Sequence, residues 1–337
     1  MKILVTGTAG FIGSHVALRL LERGDEVIGL DNLNSYYDVE LKRARLARVK
    51  DHPNYTHVAA DLADRAAMEA CFADHRPQRV VHLAAQPGVR YASENPHVYI
   101  ASNVTGFLHV LEGCRHHGVE HLLFASTSSV YGANTRMPYA EQQPTEHPLS
   151  LYAASKKANE MMAHSYAHLY GIPCTGLRFF TVYGPWNRPD MALYLFASAI
   201  AKGEPIKVFN GGKHTRSFTY VDDIVEGILR TLDRVPSIDT TWDGKAPNPA
   251  SSGVAPYRLY NIGNEDPVPL LRYIEILEQH MGRKAILDMQ PAQPGDMPET
   301  AADVSSLFDA VGYRPQVPVE EGIRRFVAWF KEYHRVD

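Results

Sequence analysis

Hydrophobic and polar positions change period repeatedly along this chain, and the changes mark out alternating strands and helices. Lys2–Thr6 is a short apolar and β-branched run, the pattern of a strand buried on both faces. From Phe11 to Leu21 apolar residues recur at helical spacing. The alternation continues with a strand at Val27–Leu30, a basic helix over Leu41–Lys50, and strands at Tyr55–Ala59 and Arg79–Leu83. A long helix over Val98–His117, a strand at His121–Ala125, a helix over Tyr152–Tyr170 and a sixth strand at Pro173–Phe179 follow. Such regular alternation predicts an α/β fold with a doubly wound parallel sheet. The last third predicts a strand at Ile206–Phe209, a short strand carrying Arg216, an amphipathic helix over Val221–Leu232, and two closing helices over 304–310 and 319–333. Pro236–Pro256, with four prolines among Gly, Ser and Asp, reads as an exposed irregular insertion without assigned function.

The first strand meets the first helix through TGTAGFIG, with glycines at 7, 10 and 13. Gly7 permits the tight turn, Gly10 lets backbone amides approach a pyrophosphate, and Gly13 lets helix and strand pack closely. The helix N-terminus adds unpaired N–H groups and a partial positive charge for phosphates. In this strand–turn–helix setting the glycines predict a Rossmann dinucleotide site. Asp31, ending the second strand, suits a ribose hydroxyl pair and repels a 2′-phosphate, which favours NAD over NADP. Asp61-Leu62, just past the third strand, fits either the adenine amine or a helix N-cap. We expect a Rossmann domain over 1–180 and a smaller α/β lobe, mainly for substrate, over 181–337, with some chain crossing between them.

Composition narrows the function. With 337 residues and 45% hydrophobic content, the chain can bury a large core as two tightly joined lobes. A formal net charge of −4 argues against a nucleic-acid protein. Cys71, Cys114 and Cys174 are scattered, so neither a disulfide framework nor a metal site is expected. No leader precedes the first strand and no apolar run reaches membrane length, so a cytoplasmic protein without membrane partners is expected.

The candidate chemistry lies at strand ends. Ala84-Ala85-Gln86 leaves room for a flat group against the backbone, and Arg90 beyond it offers either a ligand cation or a solvated loop charge. The fifth strand runs into Ala125-Ser126-Thr127-Ser128-Ser129, a row of hydroxyls, and Tyr152-Ala153-Ala154-Ser155-Lys156 opens the next helix. Tyr152 and Lys156, four apart, share one helix face. A phenol is a weak base at its ordinary pKa of about 10. A nearby ammonium and a positive nicotinamide ring would each lower it.

Through TGTAGFIG, Asp31, Asp61-Leu62 and YAASK the chain resembles the extended short-chain dehydrogenase/reductase family, over residues 1 to about 335. The resemblance implies catalysis by Thr127, Tyr152 and Lys156, with Thr127 on the substrate hydroxyl and Lys156 also on the nicotinamide ribose. It implies NAD held by Gly7, Gly10, Phe11, Ile12, Gly13, Asp31, Asn32, Asp61, Leu62, Ala84, Ala85, Gln86, Asn103, Ser126, Tyr152 and Lys156. It also implies a homodimer pairing the helices near 98–117 and 152–170. Within the family, 4,6-dehydratases place an Asp-Glu pair after the threonine, and UDP-glucuronate decarboxylases a Glu before Val-Tyr-Gly. Here both positions are serine, Ser128 and Ser129, so elimination lacks its proton shuttle.

RFFTVYGPWNRPDMA and AAQPGVRY resemble the UDP-glucuronate 4-epimerase group of that family. Thr181 and Arg188 make sense for a carboxylate at carbon 6 of the sugar, Arg188 being otherwise a phosphate clamp or surface fork. Phe209 fits a uracil or the core; Arg216 resembles the family's diphosphate arginine; Gln293 to Asp296 match its substrate-ribose segment, with Gln293 where many relatives have arginine. The expected reaction is reversible epimerisation of UDP-glucuronate to UDP-galacturonate through a 4-keto sugar. A UDP-hexose 4-epimerase, a UDP-glucuronate decarboxylase and a catalytically silent NAD-binding regulator are the alternatives.

Overall fold

The computed structural model describes residues 1–292 and 299–336. The first half alternates as the hydrophobic pattern dictates: β1 (Lys2–Thr6), α1 (Phe11–Glu22), β2 (Glu26–Asp31), α2 (Val39–Ala47), β3 (Tyr55–Ala59), α3 (Arg65–His75) and β4 (Arg79–His82). After two single turns, α4 (Tyr91–Glu94) and α5 (Pro96–Tyr99), come α6 (Gly106–His117), β5 (His121–Thr127), α7 (Leu151–Tyr170) and β6 (Cys174–Phe179). The second half contains β7 (Thr181–Tyr183), α8 (Ala192–Lys202), β8 (Pro205–Val208), β9 (Thr215–Tyr220), α9 (Val221–Asp233) and β10 (Tyr257–Ile262). It closes with β11 (Pro267–Pro269), α10 (Leu270–Met281), β12 (Ile286–Met289), β13 (Glu299–Thr300), α11 (Ser305–Val311) and α12 (Val319–His334).

Seven parallel strands form the main sheet in the order β10-β6-β5-β4-β1-β2-β3. Strand periodicity splits its side chains between two cores. Ile3, Val5, Val27 and Leu123 face α1 and α9, whereas Leu4, Ile28, Leu122 and Phe124 face Phe72 and Phe107 on α3 and α6. The first core runs on without a break into the C-terminal lobe through Tyr183, Phe218, Tyr273, Ile323 and Phe326. A Cβ added at Gly322 would lie 2.1 Å from Tyr183 Oη, so α12 meets β7 closely enough to require glycine. The sheet order reverses direction at β1, between β2 and β4. A ligand crevice opens there, at the carboxyl ends of the strands.

Three departures from the sequence expectations have local causes. The helix predicted over 98–117 begins at Pro96, after Asn95 with φ −135° and ψ 75°, and widens to a π turn over Ile100–Thr105 before continuing to His117. That widened turn holds Asn103, whose carbonyl accepts from Asn159 Nδ2 at 2.6 Å while its amide bridges to the 86 loop. Wide turns of this kind recur at functional sites. The 236–256 insertion is irregular but not wholly exposed, because Ala250, Ser251, Ser252 and Ala255 are buried and Trp242 lies against Gly253. Finally, β10 returns from the second half of the chain to pair with β6. No helix among the described residues is long and apolar enough to cross a membrane.

Candidate active site

A cleft of about 500 Å³ runs along the carboxyl ends of β1, β2, β4 and β5, and residues on all three glycine-turn positions line it. Gly7 has φ +80°, and a Cβ there would lie 2.9 Å from Ala84 N. At Gly10 a Cβ would lie 2.9 Å from Gly7 O, and at Gly13 only 2.0 Å. No side chain other than hydrogen fits any of the three. Helix α1 has Gly10 as its N-cap and no side-chain cap, so its first amides lack intrahelical acceptors. Phe11, Ile12 and Gly13 line the cleft at that end. Asp31 accepts from Ala9 N at 3.0 Å and Leu33 N at 2.8 Å, which fixes its carboxylate at the cleft edge. This cradle of amides closed by a carboxylate suits a dinucleotide with free ribose hydroxyls.

The Asp61 alternatives resolve in part. Asp64, not Asp61, caps α3 by accepting from Ala67 N at 3.1 Å. Asp61 accepts from Asn32 Nδ2 at 2.8 Å and Ala63 N at 2.8 Å, and it lines the cleft beside Asn32 and Leu62. Ala84 and Ala85 line it too. Gln86 and Asn103 do not. They are buried behind it, where Asn103 Oδ1 accepts from Gln86 N at 2.7 Å and its Nδ2 donates to Ser155 Oγ at 3.0 Å. Their place is between the β4 loop and α7, which ties the cofactor side of the cleft to the helix carrying Tyr152.

Strand β5 ends at Thr127, and Ser128–Tyr131 forms a single 3-10 turn capped by Thr127 Oγ1, which accepts from Ser129 N at 3.2 Å. Ser150 caps α7 through Ala153 N at 3.1 Å, so Tyr152 falls in the first turn and leans over the strand end. Tyr152 and Thr127 both line the cleft there, and Thr127 Oγ1 donates to Ser129 Oγ at 3.3 Å. Lys156 is 2% exposed and donates to Ala125 O at 2.9 Å. Ser126 Oγ donates to Glu160 Oε1 at 2.7 Å; Glu160 forms a fully buried ion pair with Arg178, whose Nη1 also donates to Tyr131 Oη at 3.1 Å. Burial pushes Glu160 up, but the Arg178 guanidinium outweighs it and holds the carboxyl below its usual range. This network, one helical turn beyond Lys156, fixes the hydroxyl row from behind.

Burial raises the Tyr152 phenol above its ordinary pKa, and the Thr127 hydroxyl and the Arg188 charge only partly offset it. Burial lowers the Lys156 ammonium to about 8.

Arg188 lines the cleft with Thr181, Ser128 and Ser129. Its Nε donates to Asp190 Oδ1 at 3.0 Å and its Nη2 to Asp190 Oδ2, an ion pair that holds Arg188 above its ordinary pKa although burial opposes the charge. Tyr36 Oη donates to Asp190 Oδ2 at 3.2 Å. The loop carrying these groups is pinned by Arg45, which is fully buried on α2. Arg45 donates to Trp186 O at 3.0 and 2.8 Å, Asn187 O at 3.1 Å, Ala9 O at 3.0 Å and Tyr37 Oη at 2.6 Å. Trp186 has φ +65°, a left-handed conformation rare for so large a residue, and Trp329 and Tyr333 of α12 pack on its ring. Sequence reasoning missed Tyr36, Arg45 and Asp190. Asp190 stood two residues from Arg188 in the quoted motif, whereas nothing local distinguishes Arg45 from the other basic residues of α2.

Arg90 and Phe209 do not line the cleft but meet each other, the guanidinium 5.6 Å from the ring centroid. Phe209 is half-buried, and Arg216 lies on β9, its Nη1 donating to Thr215 O at 3.0 Å. Gln293 and Asp296 lie outside the described residues.

A family model described as the NAD dependent epimerase/dehydratase family matches residues 3–263. The chain is 46% identical over 335 residues to a probable UDP-glucuronate 4-epimerase of Rhizobium meliloti, covering 99% of this chain and 98% of the relative. Its fold is similar to the crystal structure of UDP-glucuronic acid 4-epimerase from Bacillus cereus with UDP-glucuronic acid and NAD (TM-score 0.87, 30% identity, 99% of this chain and 100% of that one). It is also similar to a UDP-glucose 4-epimerase from Thermotoga maritima with UDP-glucose (TM-score 0.85, 31% identity, 99% and 100% covered). The glycine cradle, the Thr–Tyr–Lys arrangement and these likenesses agree, and the chain belongs to the NAD dependent epimerase/dehydratase family.

Proposed function

We propose that this chain interconverts UDP-glucuronate and UDP-galacturonate by NAD-dependent epimerisation at carbon 4. The observation that carries the reading is the company Tyr152 keeps: a guanidinium, Arg188, and the hydroxyls of Ser128, Ser129 and Thr181 share its cleft. Those groups suit a sugar acid. Both positions where dehydratases and decarboxylases carry acids are serine. The likeness to the Rhizobium and Bacillus proteins supports the same substrate.

NAD, held by the glycine turn, the α1 amides, Asp31 and Lys156, supplies reversible acceptance of hydride from carbon 4. Tyr152 removes the 4-hydroxyl proton and returns it after the keto sugar has turned over. Thr127 holds the oxygen in line with the phenol. Lys156 holds the nicotinamide ribose while its ammonium remains anchored at the strand end. Arg188, Thr181, Ser128 and Ser129 hold the carboxylate so that its bond to carbon 5 stays out of alignment with the ketone. Arg90 is assigned to the substrate, and Phe209, Arg216, Gln293 and Asp296 to its nucleotide part.

The test is a product assay on UDP-glucuronate without added cofactor, with UDP-galacturonate as the expected product. Tyr152→Phe should lower turnover by roughly two or more orders of magnitude. Equal turnover of UDP-glucose and UDP-glucuronate would favour the hexose epimerase reading, which the Thermotoga likeness keeps in play. UDP-pentose as the main product would favour the decarboxylase. NAD binding with no turnover of any of these nucleotides would favour a silent regulator. For assembly we propose a homodimer through the outer faces of α6 and α7, where Leu108, Met161 and Leu169 are exposed. Sedimentation at the monomer mass would refute it.

A further inference from the structure

A guanidinium offers two edges to carboxylates, a side edge formed by Nε and one Nη, and an end edge formed by both Nη atoms. In Arg188 the side edge is taken by Asp190, through Nε–Oδ1 at 3.0 Å and Nη2–Oδ2. Nη1 makes no hydrogen bond to any described residue, and Arg188 faces the cleft. Asp190 is itself held: Tyr36 Oη donates to its Oδ2 at 3.2 Å, and the Tyr36 ring lies 5.0 Å from that of Tyr91. A Cβ at Gly88 would lie 2.6 Å from Tyr36 Oη, so three loops, at 31–38, 84–91 and 184–191, converge on this pair. The Arg188 backbone is fixed as well, its N–H donating to Asn187 Oδ1 at 2.8 Å.

We propose that Asp190, braced by Tyr36, is a positioning residue that commits the side edge of Arg188, so that only the end edge meets the substrate's acid group and the 4-keto acid is kept from losing carbon dioxide. The inference rests on the epimerase reading above. Loss of carbon dioxide breaks the bond between carbons 5 and 6. Its electron pair passes into an enolate at carbons 5 and 4, and carbon 5 then takes a proton from solvent. The product is a UDP-4-keto-pentose, with the hydride from carbon 4 left on the nicotinamide, or a UDP-pentose if that hydride returns. The step is fast only when the breaking bond lies parallel to the π orbitals of the ketone. A guanidinium free to offer either edge no longer fixes that angle.

Asp190→Asn keeps the shape but replaces one acceptor oxygen by an amide that cannot accept from Nη2. The experiment incubates wild type, Asp190→Asn and Tyr36→Phe with UDP-glucuronate and measures the ratio of decarboxylated product to UDP-galacturonate. UDP-glucuronate affinity is measured in parallel by calorimetry on a Tyr152→Phe background. We expect the decarboxylated fraction to rise at least fivefold in Asp190→Asn and by a smaller factor in Tyr36→Phe. Affinity should be unchanged or higher, since a negative charge beside the guanidinium is gone. A merely structural role would lower turnover and leave the product ratio alone. A ratio equal to wild type in Asp190→Asn overturns the inference, and should that variant fail to fold, an unchanged ratio in Tyr36→Phe overturns it. A wild-type chain that does not convert UDP-glucuronate at all refutes the functional reading and this inference with it. A wild type that converts cleanly, with variants that match it, refutes this inference alone.

Discussion

Replacing Lys156 by methionine should abolish turnover and also make the chain more stable below pH 8. Lys156 is 2% exposed, and burial lowers its ammonium from 10.5 to about 8. The gap is 10.5 less 8, or 2.5 pH units, and at about 1.36 kcal/mol for each it amounts to about 3 kcal/mol. Because the folded pKa lies below the unfolded one, the unfolded chain holds a proton that the folded chain lacks between pH 8 and 10.5. Stability therefore rises with pH across that window, while below pH 8 both states are charged and the full penalty applies. Methionine has a similar length and no charge, so its advantage over wild type should be about 3 kcal/mol larger at pH 7 than at pH 10.5. The lost hydrogen bond to Ala125 O offsets the whole comparison and leaves its pH dependence in place. Urea unfolding of both proteins, followed by tryptophan fluorescence from pH 7 to 10.5, gives that double difference, in which all other titrations cancel. A difference that stays flat to within about 1 kcal/mol would mean that Lys156 is not held charged against its burial, and the reasoning fails.

Gly13→Ala should weaken NAD binding at least tenfold by calorimetry, because the added Cβ falls 2.0 Å from Gly7 O, more than about 1 Å short of van der Waals contact. Glu160→Gln should cost about 3 kcal/mol or more in urea unfolding, since it leaves the fully buried Arg178 without its counter-ion. Lys157→Ala, which removes only a half-buried partner of the same carboxylate, should stay within about 1 kcal/mol of wild type. Gly322→Ala should destabilise by about 1–3 kcal/mol, because its Cβ would fall 2.1 Å from Tyr183 Oη where the two halves of the chain share one core. A neutral result there would mean that α12 can shift freely on β7.

What local pattern can show, it showed. Lys2–Thr6 and Tyr55–Ala59 are strands with the expected bounds, because short apolar and β-branched runs between turn residues admit little else. Residues 7, 10 and 13 were legible as glycine positions because much of what excludes a side chain there is local: Gly7 has φ +80° and its carbonyl crowds Gly10 and Gly13. The π turn at Ile100–Thr105 was hidden, since an apolar helical rhythm survives it and its partner contacts, the Asn103 bridge to Gln86 and Asn159, span distant segments. Strand β10 escaped notice behind the proline-rich insertion, and its place beside β6 is a matter of topology. At the site, Tyr152, Lys156 and Thr127 were legible as residue types at known spacing. The direction in which Lys156 points was not, because a spacing of four sets the helix face and leaves a long side chain free to choose its acceptor.

Arg45 lies between the glycine turn and the loop that leads to Arg188. Its guanidinium joins Ala9, inside the dinucleotide turn, to Trp186 and Asn187, immediately before Arg188. Ala9 in turn donates to Asp31, the carboxylate suited to the ribose. One continuous set of hydrogen bonds therefore runs from Asp31 to the backbone of Arg188. Each link is buried or nearly so, where an unmade bond costs about 1–3 kcal/mol, and a shift of the glycine turn must be shared by the Trp186–Asn187 backbone. Trp186 can hold its left-handed conformation because Arg45 grips its carbonyl from one side while Trp329 and Tyr333 pack on its ring. An arginine on a surface-looking basic helix thus joins the glycine turn to the loop before Arg188. This is why the 186–188 loop, far from the glycines in sequence, keeps its register against them.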